Sequence, residues 1–128
     1  MESDGTELPV VLVVDDEAEI GDVMRRMLGR LLPTATVDAV LSAAQAIEAL
    51  IAQPIDLVLT DVRMPEMDGV QLAQLIRARW PTTRVVLFSG MATVDLEVAA
   101  LAGQADGYLA KPINRNTLTQ VVQQVLSH

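Results

Sequence analysis

The chain has 128 residues, 51% of them apolar, with 17 acidic against 9 basic side chains for a formal net charge of −8, and no cysteine. This size and composition fit one aliphatic-cored domain, and they exclude disulfides, thiolate metal sites and a cysteine nucleophile. With no basic stripe and only one each of Phe, Tyr and Trp, direct nucleic-acid binding by this domain is excluded as well.

Residues 1–7 are polar and acidic and read as a flexible leader, so the folded domain is expected over 8–128. The apolar run from Leu8 to Val14 meets Asp15 and Asp16 at once, too soon for a signal peptide or a membrane span of about 20 residues, and a cytoplasmic location is expected. The first strand is predicted over 10–14 and the first helix over 18–31, where Ile20, Met24, Met27 and Leu31 share one stripe. A second strand, 35–39, is polar enough for a sheet edge, and a helix over 43–52 follows it. The third strand, 55–60, leads to a helix over 68–79 that closes at Trp80–Pro81, because the residue before proline is pushed out of the helical region. The fourth strand, 84–88, precedes a helix over 93–102 whose stripe of Val94, Val98 and Leu101 turns Leu96 outward. The fifth strand, 106–110, precedes a helix over 114–126, with Leu118, Val121, Val122 and Val125 inward and Gln120, Gln123 and Gln124 outward. Five such units with nearly all-apolar central strands imply an α/β fold whose parallel sheet is covered on both faces.

In a sheet of this kind the carboxyl ends of the strands share one edge, and residues distant in sequence converge there around a ligand. Asp15 and Asp16 follow the first strand, Asp61 the third, Ser89 the fourth and Lys111 the fifth. An N-cap at the positive end of the first helix accounts for one aspartate of the first pair. Turn formation accounts for Pro65 and for Asp68–Gly69, but nothing in a turn requires Asp61. Like charges crowded at one edge raise one another's pKa unless a cation neutralises them. Carboxylate oxygens are what Mg²⁺ takes, and an ionised aspartate beside it is a nucleophile able to form an aspartyl phosphate. Lys111 would pair with Asp61 before transfer and with phosphoryl oxygens after it. A cis Lys111–Pro112 peptide is compatible with that placement. Ser89 offers a hydroxyl, and Gly90 leaves room beside it.

The runs Val13-Val14-Asp15-Asp16-Glu17, Leu59-Thr60-Asp61-Val62-Arg63-Met64-Pro65, Met67-Asp68-Gly69, Phe88-Ser89-Gly90 and Tyr108-Leu109-Ala110-Lys111-Pro112 resemble those of response regulator receiver domains, over residues 8 to 127. The resemblance implies a flavodoxin-like sheet in the order 2-1-3-4-5 flanked by five helices. It implies that Asp61 is the phosphoacceptor, charged by the phosphohistidine of a sensor histidine kinase or a phosphotransfer protein. Mg²⁺ would be bound by the Asp16 and Asp61 side chains, by Asp15 through water and by the Arg63 backbone carbonyl, while Lys111 and Ser89 contact the phosphoryl group. Ser89 and Tyr108 would form a switch acting on the surface made by the fourth helix, fifth strand and fifth helix, which would control an output domain or partner or serve, with Leu96, as a homodimer contact. Arg63 and Met91 stand where the lifetime of the phosphoryl group is tuned, and the thioether of Met91, unable to orient a water, implies a long-lived phosphoryl group.

Three other readings compete with this one. A haloacid-dehalogenase-like phosphatase needs a second aspartate two residues after the nucleophile, where this chain has Arg63. A flavodoxin-like cofactor binder needs a phosphate loop after the first strand, where Asp15-Asp16-Glu17 would repel the cofactor. The third is a receiver-like module that works by protein contact without phosphorylation, and phosphate incorporation separates it from the main reading. His128, at the end of the chain, is no phosphorelay donor.

Overall fold

The valine- and leucine-rich runs form a parallel sheet because helices cover both of its faces, leaving no strand surface that needs polar residues. The computed structural model describes residues 9–90 and 105–127. Five strands, β1 (Val10–Val14), β2 (Thr36–Val40), β3 (Leu57–Asp61), β4 (Arg84–Ser89) and β5 (Gly107–Ala110), are all parallel and lie in the order β2-β1-β3-β4-β5. The described helices are α1 (Ala18–Leu31), α2 (Ala43–Ala52), α3 (Gly69–Arg79) and α4 (Arg115–Leu126). The predicted leader 1–7, the predicted helix 93–102 with Leu96, and Met91 and His128 lie outside the described residues.

Alternation along each strand builds two cores. Val11, Val13, Leu57, Leu59, Val86, Phe88 and Leu109 face α1 and α4, where Met24, Leu28, Leu118, Val122 and Val125 meet them. Leu12, Val14, Val58, Val85 and Leu87 face α2 and α3, against Ala46, Leu50, Leu72, Ala73 and Ile76. The α1 stripe is centred on Gly21, Met24 and Leu28, with Ile20, Met27 and Leu31 packed at its margin. β2 is an edge strand with Thr36, Asp38 and Ala39 exposed, as its polar sequence implies.

Side-chain caps fix where α2, α3 and α4 start. Ser42 accepts from Gln45 N–H at the head of α2, and Asn114 accepts from Thr117 N–H at the head of α4. Asp68 and Gln71 form a reciprocal capping box at the head of α3. The α3 end falls where Trp80 precedes Pro81, with Trp80 N–H donating to the Ile76 carbonyl at 2.7 Å. At the opposite end of the sheet Asp106 ties β5 to its neighbours, its carboxylate accepting from Val85 N–H at 2.9 Å and from Arg77 at 3.1 Å.

Candidate functional site

Backbone hydrogen bonds carry the ladder just past the carboxyl ends of the strands, and this places the functional side chains. Asp15 N–H donates to the Val40 carbonyl, Val62 N–H to the Phe88 carbonyl and Lys111 N–H to the Ser89 carbonyl, at 3.1, 2.9 and 2.9 Å. Register pairs Asp61 with Phe88 and Phe88 with Leu109, so these side chains share one face of the sheet. Asp15 continues the same row one residue beyond the Val14–Thr60 pair, and Lys111 two residues beyond Leu109.

Lys111 Nζ lies 3.1 Å from Asp61 Oδ2, 3.4 Å from Asp15 Oδ2 and 3.9 Å from Glu17 Oε1. Its side chain is 17% exposed, whereas that of Asp61 is 7% exposed and Asp15 is fully buried. Burial works against the Lys111 charge, but the hydrogen bond and charge of Asp61, with Asp15 behind it, prevail and raise its pKa above the ordinary lysine value. Asp15 is shifted the other way from a comfortable carboxylate: removal from water raises its pKa, and the Asp61 charge adds to the rise. The Glu17 N–H, donated to Asp15 Oδ1 at 2.8 Å, and the Lys111 ammonium only partly offset this.

Asp15 does not cap α1, whose N-cap is Glu17 without a side-chain cap. Its buried Oδ2 makes no well-formed hydrogen bond and has only the Lys111 ammonium at 3.4 Å beside it. Carboxylate oxygens of Asp15, Asp16 and Asp61 all lie within 4.8 Å of one another. A buried carboxylate oxygen without a well-formed hydrogen bond, within a set of three hard carboxylate donors, fits a small divalent cation such as Mg²⁺. Arg63 sits beside this set, its N–H 3.3 Å from Asp61 Oδ1.

A cavity of about 410 Å³ opens over Asp61 and is lined by Asp16, Glu17, Arg63, Ser89, Gly90 and Lys111. Ser89 ends β4 and is buried, and a β-carbon on Gly90 would meet the Lys111 side chain only at ordinary contact distance, 3.8 Å from Cδ. Tyr108 is half-buried on the opposite face, packed against the core under α2 and α3. The Lys111–Pro112 peptide is cis. Of the expected site residues, Asp15, Asp16, Asp61, Arg63, Ser89 and Lys111 are thus gathered at one edge, Tyr108 stands behind them, and Met91 lies outside the described residues.

Three participants are not legible as such in the sequence. Glu17 reaches Lys111 from the head of α1, although its position before the helix explains it as a dipole partner alone. Phe88 lies under the Lys111 ammonium, 5.3 Å from Nζ to the ring centre, but reads as one more core apolar residue. Gly69 lies against the Asp61 backbone, with its N–H donating to the Val62 carbonyl at 2.8 Å. The Asp68–Gln71 capping-box spacing signals a helix start there but not this close approach.

Comparison with known proteins agrees with the geometry. The family model for the response regulator receiver domain matches residues 11–123. The response regulator protein PilR of Pseudomonas aeruginosa is 35% identical over 116 residues, covering 90% of this chain and 25% of that protein. The DNA-binding transcriptional regulator NtrC of Escherichia coli K12 is 34% identical over 119 residues, covering 93% of this chain and 25% of that protein. The chain thus spans about a quarter of the length of these relatives. Among solved structures, the signal receiver domain of an HD domain-containing protein from Pseudomonas fluorescens Pf-5 has a TM-score of 0.81 at 30% identity, covering 95% of this chain and 97% of that one. A CheY-like receiver domain from Methylobacillus flagellatus has a TM-score of 0.81 at 28% identity, over 93% of this chain and 99% of that one. No described helix is long and apolar enough to cross a membrane. With a 2-1-3-4-5 parallel sheet, an acid cluster and a lysine at its carboxyl edge, and a family match over nearly its whole length, this chain belongs to the response regulator receiver domain family.

Proposed function

We propose that Asp61 accepts a phosphoryl group from the phosphohistidine of a sensor histidine kinase or phosphotransfer protein, and that residues 8–128 act as the phosphoacceptor domain of a cytoplasmic two-component regulator. The observation that carries this reading is the Lys111 ammonium 3.1 Å from Asp61 Oδ2 at the floor of an open cavity edged by Asp16 and Ser89. An Asp61 oxygen bonds to phosphorus as the phosphorus–nitrogen bond of the donor breaks, and that bond's electron pair returns to the imidazole. Lys111 neutralises the nucleophile at rest and follows the charge onto the phosphoryl oxygens, and Ser89 donates its hydroxyl to one of them. Asp16, Asp61 and the Arg63 carbonyl would hold Mg²⁺, with Asp15 acting through water. When bound, the ion supplies charge neutralisation at the phosphoryl oxygens. An apolar groove of about 520 Å³ formed by Ile20, Val23, Pro112 and Ile113 is also lined by Lys111, and gives a protein donor a footing next to Asp61.

Output follows from Ser89 and Tyr108: Ser89 moves toward the phosphoryl group, Tyr108 turns into the space behind it, and the surface around β5 and α4 changes its partner or self-association. Arg63 and Met91 set the lifetime of the phosphoryl group, and a Met91→Glu variant that lost phosphate no faster than the parent would overturn that assignment. Borohydride reduction of the phosphorylated protein followed by peptide sequencing tests the acceptor: homoserine at position 61 supports it, and reduction at another aspartate or at none contradicts it.

A further inference from the structure

We infer that Phe88 is a positioning residue for Lys111, holding the ammonium over its ring face so that the lysine keeps its place at the site when the charge on Asp61 changes. The inference rests on the phosphoacceptor reading of Asp61. Nζ stands 5.3 Å from the ring centre, inside the roughly 6 Å range in which a cation is attracted to an aromatic face. The ring is fully buried and in register with Asp61 on one side and Leu109 on the other, so neither its depth nor its direction is free.

Among the described residues, the remaining partners of the ammonium are carboxylates: Asp61, Asp15 and Glu17, at 3.1, 3.4 and 3.9 Å. Their hold depends on charge. Phosphorylation converts the Asp61 carboxylate into an acyl phosphate, a divalent cation competes for Asp15 and Asp61, and Glu17, with a side chain 65% exposed, would draw the lysine outward. The Phe88 face is the one partner among these whose attraction does not vary with ionisation or metal, and it lies in the core beneath the site rather than at its mouth. An aliphatic residue would fill the same volume without holding the cation.

Phe88 is the only phenylalanine in the chain, which gives a clean test. Expression in a phenylalanine auxotroph fed mono-, di- or trifluorophenylalanine places fluorine at position 88 alone and weakens the ring's attraction for cations in steps with little change in volume. Two readouts are taken on the full chain: the rate of Mg²⁺-dependent phosphorylation by a small acyl phosphate, and the proton shifts of the Lys111 ε-methylene, which a ring face moves upfield. We expect the rate to fall stepwise by about five-fold across the series, with the Lys111 protons returning toward their free-lysine positions. A rate that stays level, or one that falls while the Lys111 protons do not move, overturns the inference. If the unmodified protein takes up no phosphate, the phosphoacceptor reading fails instead, and the Lys111 shifts alone decide whether the ring holds the ammonium.

Discussion

Gly69 and Asp61 meet backbone to backbone: a β-carbon on Gly69 would overlap the Asp61 carbonyl oxygen and come within 2.9 Å of both the Asp61 carbonyl carbon and Val62 Cα. The head of α3 therefore rests directly on the residue that ends β3. Neither backbone segment can yield without moving the Asp61 carboxylate. Gly69→Ala is expected to lower stability by about 2 kcal/mol, in the range for forced overpacking, and to slow phosphate uptake beyond what the loss of folded protein explains. Thermal unfolding and an uptake rate measured well below the melting transition check this together.

Asp15 gives a pH dependence of definite sign. Its folded pKa is raised, first by removal from water and then by the Asp61 charge, so the folded state keeps this proton to higher pH than the unfolded chain does. Its contribution to stability is greatest below the ordinary carboxylate value of about 4 and declines as pH rises through the folded value. Asp15→Asn keeps an oxygen for the Glu17 N–H but removes the buried charge. In metal-free buffer the variant is expected to show a flatter stability profile from about pH 4 upward and to exceed the parent at neutral pH. Denaturant unfolding across that window checks it, and a parallel pair of profiles would contradict it.

Metal binding should reverse that ranking. A cation that binds only the folded state stabilises it by about 2.7 kcal/mol at a hundred-fold excess over its Kd. The parent, with oxygens of three carboxylates within 4.8 Å of one another and no well-formed hydrogen bond at Asp15 Oδ2, should gain from added MgCl₂. Asp15→Asn should gain much less, and CaCl₂ or NaCl at matched ionic strength serve as controls in the same melting series.

Glu66 is the one described non-glycine residue with positive φ, at 68°. The left-handed region costs an ordinary L-residue about 1–2 kcal/mol, and glycine there gives back part of that through its freer unfolded chain. Glu66→Gly is expected to stabilise the protein by about 0.5–1 kcal/mol without slowing phosphorylation. Equilibrium unfolding checks it, and a destabilised variant would show that the Glu66 side chain contributes more than its backbone costs.

The sheet and its edge were legible because the signals were local and redundant. Val10–Val14 and Leu57–Asp61 are apolar runs too short for helices, and Asp15, Asp61 and Lys111 stand where such runs stop. The strand bounds slipped by a residue or two: β3 begins at Leu57 rather than 55, because Ile55, though buried, lies before the ladder that pairs Val11 with Leu57. The α1 stripe of Ile20, Met24, Met27 and Leu31 lies on the core side, but its fully buried line runs through Gly21, Met24 and Leu28, and Gly21 carries no apolar signal. The contacts of Phe88 and Gly69 were not readable, because each depends on how closely two distant segments approach, and periodicity carries no distance. Capping accounts for one aspartate of the Asp15–Asp16 pair in the sequence, whereas Asp15 is a buried acceptor for Glu17 N–H, a distinction set by depth rather than by position along the chain.

Intact-protein mass decides whether Asp61 is a metal-dependent phosphoacceptor. The parent and Asp61→Asn are incubated with a small acyl phosphate, each with and without Mg²⁺. A single phosphate is expected on the parent only, and only with the metal present. Addition to Asp61→Asn, or none to the parent under any condition, would contradict it, and the latter would favour a module that signals by contact alone.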